Sequence, residues 1–174
     1  MNIFPKLKKK HGGFEGKIIL KEWDEYFHHK NKIDIVVGGE EGTDKVMECH
    51  TNTIQYLLDN AKEMLDVLLS KLMSEYPAIQ KEFREYFEEE KWSEYLPDIA
   101  TVDDFCKLIK PLSIFVFNTQ KDNLCYVGFE FECTWEVEHG LGFMVYKDRV
   151  ADFGGADSAS MDWIAERDFE KQTS

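Results

Sequence analysis

Glu130 and Glu132 lie two residues apart in a segment that alternates apolar and polar side chains, so both carboxylates fall on one face of a strand. Their Cα atoms would then be about 7 Å apart, a spacing that suits paired carboxylates in general acid–base work or in glycoside cleavage. An antiparallel strand with one wet face also carries acids in this way without any chemistry. Six residues further on, Glu136, Glu138 and His139 sit at a turn beside Trp135, and Asp148, Asp152 and Asp157 follow. One imidazole among carboxylates could in principle hold a divalent ion, yet the spacing matches neither a zinc nor an EF-hand pattern. Ser, Cys and His occur at no spacing that marks a nucleophile and its base. No catalytic, metal-ligating or cofactor-binding residue is therefore assigned, and no cofactor is expected. The candidate binding residues are Glu130, Glu132, Trp135, Glu136, Glu138 and His139.

The element that positions these groups reads as a β-hairpin. Val127, Phe129, Phe131, Cys133 and Trp135 point one way on its first arm, and Leu141, Phe143 and Val145 match them on the second. The predicted register sets Cys133 opposite Leu141, Phe131 opposite Phe143 and Phe129 opposite Val145. Glu132 then faces Gly142, which reads as an open floor where a ligand or partner can approach, because glycine presents no side chain. Gly140 supplies a positive φ at the end of the loop.

Composition narrows the function classes. The chain has 174 residues, 43% hydrophobic and 14% aromatic, and a formal charge of −13. One domain over residues 1–174 is expected. The negative charge argues against a nucleic-acid surface and against docking on anionic lipid, and favours a basic partner. Residues 1–32 run against this trend, with eight Lys and four acids for +4, while the remainder carries −17. Residues 1–12 read as a solvated basic arm and residues 166–174 as a polar tail. Cys49, Cys106, Cys125 and Cys133 are scattered without metal spacing, and no run is apolar enough to span a bilayer, so a cytoplasmic protein with free thiols is expected.

Along the rest of the chain, Phe14–Trp23 and Lys32–Val37 have strand character. The loop Gly38-Gly39-Glu40-Glu41-Gly42 lacks a Walker lysine. An apolar stripe from Ile54 to Leu72 predicts one helix over Thr51–Tyr76, ended by Pro77. A second helix is expected over 78–91. Nine acids lie between Glu82 and Asp104 against Arg84 and Lys91. Thr101 with Asp104 resembles a capping box for a short helix through Ile109, stopped by Pro111, and Leu112–Asn118 reads as a strand. The fold class that results is α+β: a mainly antiparallel sheet with a C-terminal β-meander, packed on one face by the long central helix and shorter helices.

The run Cys133-Thr134-Trp135-Glu136-Val137-Glu138-His139-Gly140-Leu141-Gly142, with Lys147-Asp148-Arg149-Val150 and Gly154-Gly155-Ala156-Asp157 after it, resembles the C-terminal motif of a family of uncharacterised bacterial domains. Glu136 stands where that pattern has Asp, and Val137 where it has Glu. The resemblance implies a small acidic protein of the immunity type found beside polymorphic toxins, with no activity to carry over. On this reading the chain is a non-enzymatic binding protein that masks a basic partner such as a toxin domain. The alternative is a hydrolase or metal-dependent enzyme built on Glu130, Glu132 and His139.

Overall fold

The computed structural model describes residues 2–174, so Met1 of the expected basic arm lies outside the described residues. Seven strands form one sheet in sequential order: β1 (Lys8–Lys10), β2 (Gly13–Ile18), β3 (Ile33–Val37), β4 (Ile109–Lys121), β5 (Leu124–Cys133), β6 (Leu141–Tyr146) and β7 (Arg149–Gly154). Every neighbouring pair is antiparallel except β3–β4, which is parallel. A parallel pair needs a long crossover, and here the helical segment after β3 supplies it. That segment holds α2 (Glu48–Asp59), α3 (Ala61–Phe83) and the short α4 (Trp92–Tyr95). Helix α1 (Lys21–Phe27) links β2 to β3, and α5 (Asp157–Ser160) and α6 (Asp162–Thr173) close the chain. The α+β class and the C-terminal meander are as the sequence predicts.

The main core lies between the sheet and helices α1, α2 and α3, where Trp23, Leu57, Leu68, Leu72, Phe129, Phe131 and Phe143 are buried together. The opposite sheet face is covered as well. Phe117, Tyr126, Met144 and Tyr146 pack there against Ile164 and Ala165 of α6. Residues 166–174, expected as a polar tail, are thus mostly helical, and Asp168 anchors them. Its carboxylate accepts two bonds from Arg149 (3.1 and 2.6 Å) and one from the Tyr126 hydroxyl (2.7 Å). The expected N-terminal arm is likewise partly ordered, since Lys8–Lys10 pair with β2.

Local differences from the predicted elements have physical causes. Strand β2 ends at Ile18 and Trp23 is helical, because its indole N–H donates to the Ala61 carbonyl (2.7 Å) while its ring stacks on Phe131. The single helix over Thr51–Tyr76 is two, divided at Asn60, whose amide and side chain both donate to the Tyr56 carbonyl. Pro77 sits inside α3 rather than ending it. Tyr76 and Ile79, buried on either side, outweigh a proline cost of about 3 kcal/mol. The helix expected over 78–91 is the end of α3 followed by two 3₁₀ turns, Arg84–Tyr86 and Glu89–Lys91. Thr101 and Asp104 do form a capping box, opening a 3₁₀ helix over Val102–Lys107. Pro111 lies within β4, next to a register shift between Pro111 and Ser113, where strands tolerate a missing donor.

The hairpin keeps the predicted faces but slips by two residues. Phe131 pairs with Leu141, Phe129 with Phe143 and Val127 with Val145, so Glu130 faces Gly142. A slip of two leaves every side chain on its face, so hydrophobic matching alone does not distinguish the two registers.

Candidate functional site

The loop from Thr134 to Gly140, between β5 and β6, is built by its own polar groups. One Glu136 carboxylate oxygen accepts from the backbone N–H groups of Glu138 (3.1 Å) and His139 (3.2 Å), and the other lies 3.3 Å from His139 Nδ1. The Gly140 N–H donates to the Glu136 carbonyl, and Gly140 takes the positive φ of +61° that this closure requires. These bonds, that to His139 first, hold the Glu136 carboxyl below its ordinary value. The loop is pinned from outside too: the Thr134 hydroxyl donates to the Tyr95 carbonyl, and the Ala156 N–H donates to the His139 carbonyl.

Trp135 does not stand at an exposed tip. It is only 5% exposed and packs edge-on against the Tyr76 ring of α3, 5.9 Å between centroids, so it lies beneath the loop and lines the cleft behind it. Its burial sets the loop against the end of α3. Between them runs a cleft of about 340 Å³. Ile79 and Phe83 of α3, Leu141 of β6 and Phe153 of β7 give it an apolar lining, Glu82, Glu136 and His139 give it polar groups, and Gly140, Gly154 and Gly155 keep it open.

The structure therefore brings Trp135, Glu136 and His139 to one cleft. Glu138 is exposed next to them in the chain, and Val137, 86% exposed, lines the neighbouring depression instead. Glu132 is exposed in a separate shallow depression, directly across the sheet from Lys110. Glu130 is half-buried between Ser113 of β4 and Gly142 of β6. Burial raises its carboxyl above the ordinary value, with a smaller push from Glu132 and an opposing bond from Ser113. Glu132 and His139 line different depressions, so the three groups of the enzymatic alternative do not meet in either of them.

The open floor expected at Gly142 is filled. A methyl group there would run into the Gly155 carbonyl and lie 3.0 Å from the Ala159 amide nitrogen, because α5 lies directly on this part of the sheet. Glycine at this position admits the protein's own backbone.

Because the Glu130 carboxyl is held above its ordinary value, its ionised form opposes folding at neutral pH. As pH falls through that raised value, the folded protein takes up the proton before the unfolded chain does, and the penalty disappears. Glu130→Gln is accordingly expected to raise the melting temperature at pH 7, with the gain shrinking as pH falls toward the ordinary carboxylate range. Calorimetry across that range checks it, and an unchanged or lower value at pH 7 contradicts it.

Sequence reading missed two groupings. Glu82 and Phe83 reach the cleft from α3, 54 and 53 residues before Glu136 in the chain, and only the general acidity of that region hinted at them. Cys49 and His50 of α2 and Cys125 of β5 also converge, with their ligand-type atoms within 4.8 Å of one another and all three residues buried. His50 Nδ1 accepts from the Met47 N–H (3.1 Å), and Nε2 lies 3.0 Å from Asn118 Oδ1, which leaves the neutral ring no free lone pair for a cation. Burial pushes His50 down and the Cys125 thiol up, so both stay uncharged. Thr53 bridges the same place, donating to the Cys49 carbonyl and accepting from the Cys125 N–H (both 2.7 Å). This cluster joins α2 to the sheet.

A family model described as a domain of unknown function (DUF6985) matches residues 8–160, which include β1–β7, the cleft and its loop. No curated protein and no solved structure matches the chain.

Proposed function

We propose, for a chain that belongs to the DUF6985 family of domains of unknown function, a non-enzymatic role: it binds a basic protein partner through the cleft between α3 and the Thr134–Gly140 loop. The observation that carries this reading is the combination of apolar lining and carboxylate rim in one concavity, with Glu82 on one wall and the turn-held Glu136 on the other. Such a cleft suits the long aliphatic stem and charged head of Lys or Arg. Acids beyond the rim, from Glu85 through Glu90 and at Glu138, would steer a cationic surface toward it, an effect that salt weakens. Masking of a basic toxin domain, in the manner of an immunity protein, is the biological role that this chemistry fits.

An array of Lys- and Arg-rich peptides probed with the purified protein tests the proposal. Binding to a subset of peptides is expected, falling between 0.05 and 0.5 M salt, both taken as orders of magnitude around the screening range of about 0.1 M. Glu82→Gln with Glu136→Gln is expected to weaken it about tenfold, consistent with two lost charge-assisted contacts. Glu63→Gln with Glu166→Gln, the same charge change on exposed helical positions elsewhere, should leave it within about twofold. Equal losses in both double variants would mean that net charge, and not the cleft, holds the peptides.

A further inference from the structure

Seven large hydrophobic side chains are exposed among the described residues, and three of them, Ile3 (80%), Phe4 (37%) and Ile19 (43%), line one groove of about 590 Å³. The groove runs between the segment before β1 and the strand β2 with its exit toward α1, at the opposite end of the chain from the cleft loop. Its rim is cationic, with Lys6, Lys8, Lys17 and Lys21 against a single acid, Glu15. Lys17 is paired with Asp34 (2.5 Å) and Glu15 with Lys10 (3.3 Å), whereas Lys6, Lys8 and Lys21 have no carboxylate within 4.0 Å among the described residues. Apolar side chains gathered in a concavity under unpaired like charges mark a surface that gains by being covered. Residues 2–6, which form one wall, lie outside the segment shared with the family.

The chain itself carries a surface of complementary charge. After α3, the turns Arg84–Tyr86 and Glu89–Lys91 present Tyr86, 71% exposed, among Glu85, Glu88, Glu89 and Glu90, all exposed. Arg84 does not neutralise them, because its guanidinium turns inward to the Leu96 carbonyl (2.7 Å) and to Asp98 (2.8 Å). An aromatic knob ringed by unpaired carboxylates thus matches an apolar groove ringed by unpaired ammonium groups.

We propose that the protein self-associates head to tail, with the Tyr86 knuckle of one copy seated in the Ile3–Phe4–Ile19 groove of the next. Groove and knuckle are different surfaces, so the contact is heterologous and generates open chains or a ring rather than a two-fold dimer. The overall charge of −13 opposes approach at long range. At about 0.1 M salt that repulsion is screened beyond about 10 Å, while contacts inside the interface are screened less. This inference rests on the groove and the knuckle and needs neither the cleft nor its partner; with the proposed function it shares only the acids from Glu85 through Glu90.

Sedimentation equilibrium of the full chain tests it. At about 0.1 M salt the weight-average mass is expected to rise with concentration above the 20.4 kDa of one chain, and to return toward it at about 1 M, where the screening length is about 3 Å. Lys6→Glu with Lys8→Glu and Lys21→Glu should abolish the rise, and so should Glu85→Lys with Glu88→Lys and Glu89→Lys. Mixing the two triple variants should restore association, because an acidic groove then meets a basic knuckle. Tyr86→Ser, which leaves every charge in place, should weaken association at least about tenfold if the ring is a buried anchor. A single 20.4 kDa species at every concentration overturns the proposal, as does association that persists in either triple variant or a mixture that stays monomeric.

Discussion

Gly128→Ala is expected to destabilise the protein by about 3 kcal/mol or more, near the upper end for overpacking, and to lower the melting temperature by roughly 6–12 °C. Gly128 is buried on β5, between Phe115 of β4 and Met144 of β6. A methyl group on it would overlap the Ala159 carbonyl, with the Ala159 carbonyl carbon and Cα next in line. All three obstacles are backbone atoms, so no rotamer change relieves the clash, and α5 must lift off the sheet. Helix α6 follows α5 directly, and Ile164 and Ala165 would lose their seat on Tyr126 and Met144. Urea denaturation gives the free-energy change. Hydrogen exchange should show faster exchange over 157–173 than over α2 and α3, which lie on the other face. A loss under about 1 kcal/mol would show that α5 slides without cost.

Trp135→Ala is expected to cost about 3–5 kcal/mol, the range for a large buried aromatic, and to abolish binding at the cleft. Trp135 packs on Tyr76, whose hydroxyl donates to the Pro97 carbonyl (2.8 Å) and whose ionisation burial pushes up to about 12. The indole is therefore wedged between the cleft loop and a rigid part of α3. Without it the Glu136 turn keeps its internal bonds but loses its fixed position opposite Glu82. Trp135→Phe retains an aromatic body and should recover more than half of the stability, with peptide affinity within about threefold of the parent. The pair of variants separates support from contact: if Trp135→Ala folded stably and bound as before, the cleft would not be the binding site.

Side-chain alternation made the two faces of the C-terminal hairpin readable, and with them the burial of Phe129, Phe131 and Phe143. The turn at Asp122 and Asn123 has a local cause of the same kind, since both adopt the positive φ that these residue types tolerate. The capping residues Thr101 and Asp104 declared themselves by spacing. Each of these follows from interactions within a few residues, or from a periodicity that any register preserves. The stripe from Ile54 to Leu72 likewise announced a buried helix, but not its division at Asn60, because a stripe of this kind records which side is buried and not whether the axis is continuous.

The candidate site was legible only in part. Glu136, His139 and Gly140 stood out by type and by proximity in the chain, and they do share a cleft. The remaining differences are decided by packing between distant segments. Glu82 faces that loop only because α3 continues past Pro77, where buried Tyr76 and Ile79 overrule a local helix-breaking preference. Gly128 and Gly142 look like openings in the pattern of β5 and β6, yet at both positions the backbone of α5 or the turn before it rests on the sheet. A missing side chain has the same appearance in a sequence whether ligand, water or main chain fills the space. What the amino-acid order determines here is which groups leave water; which groups they meet there depends on long-range backbone contacts that carry no local signature.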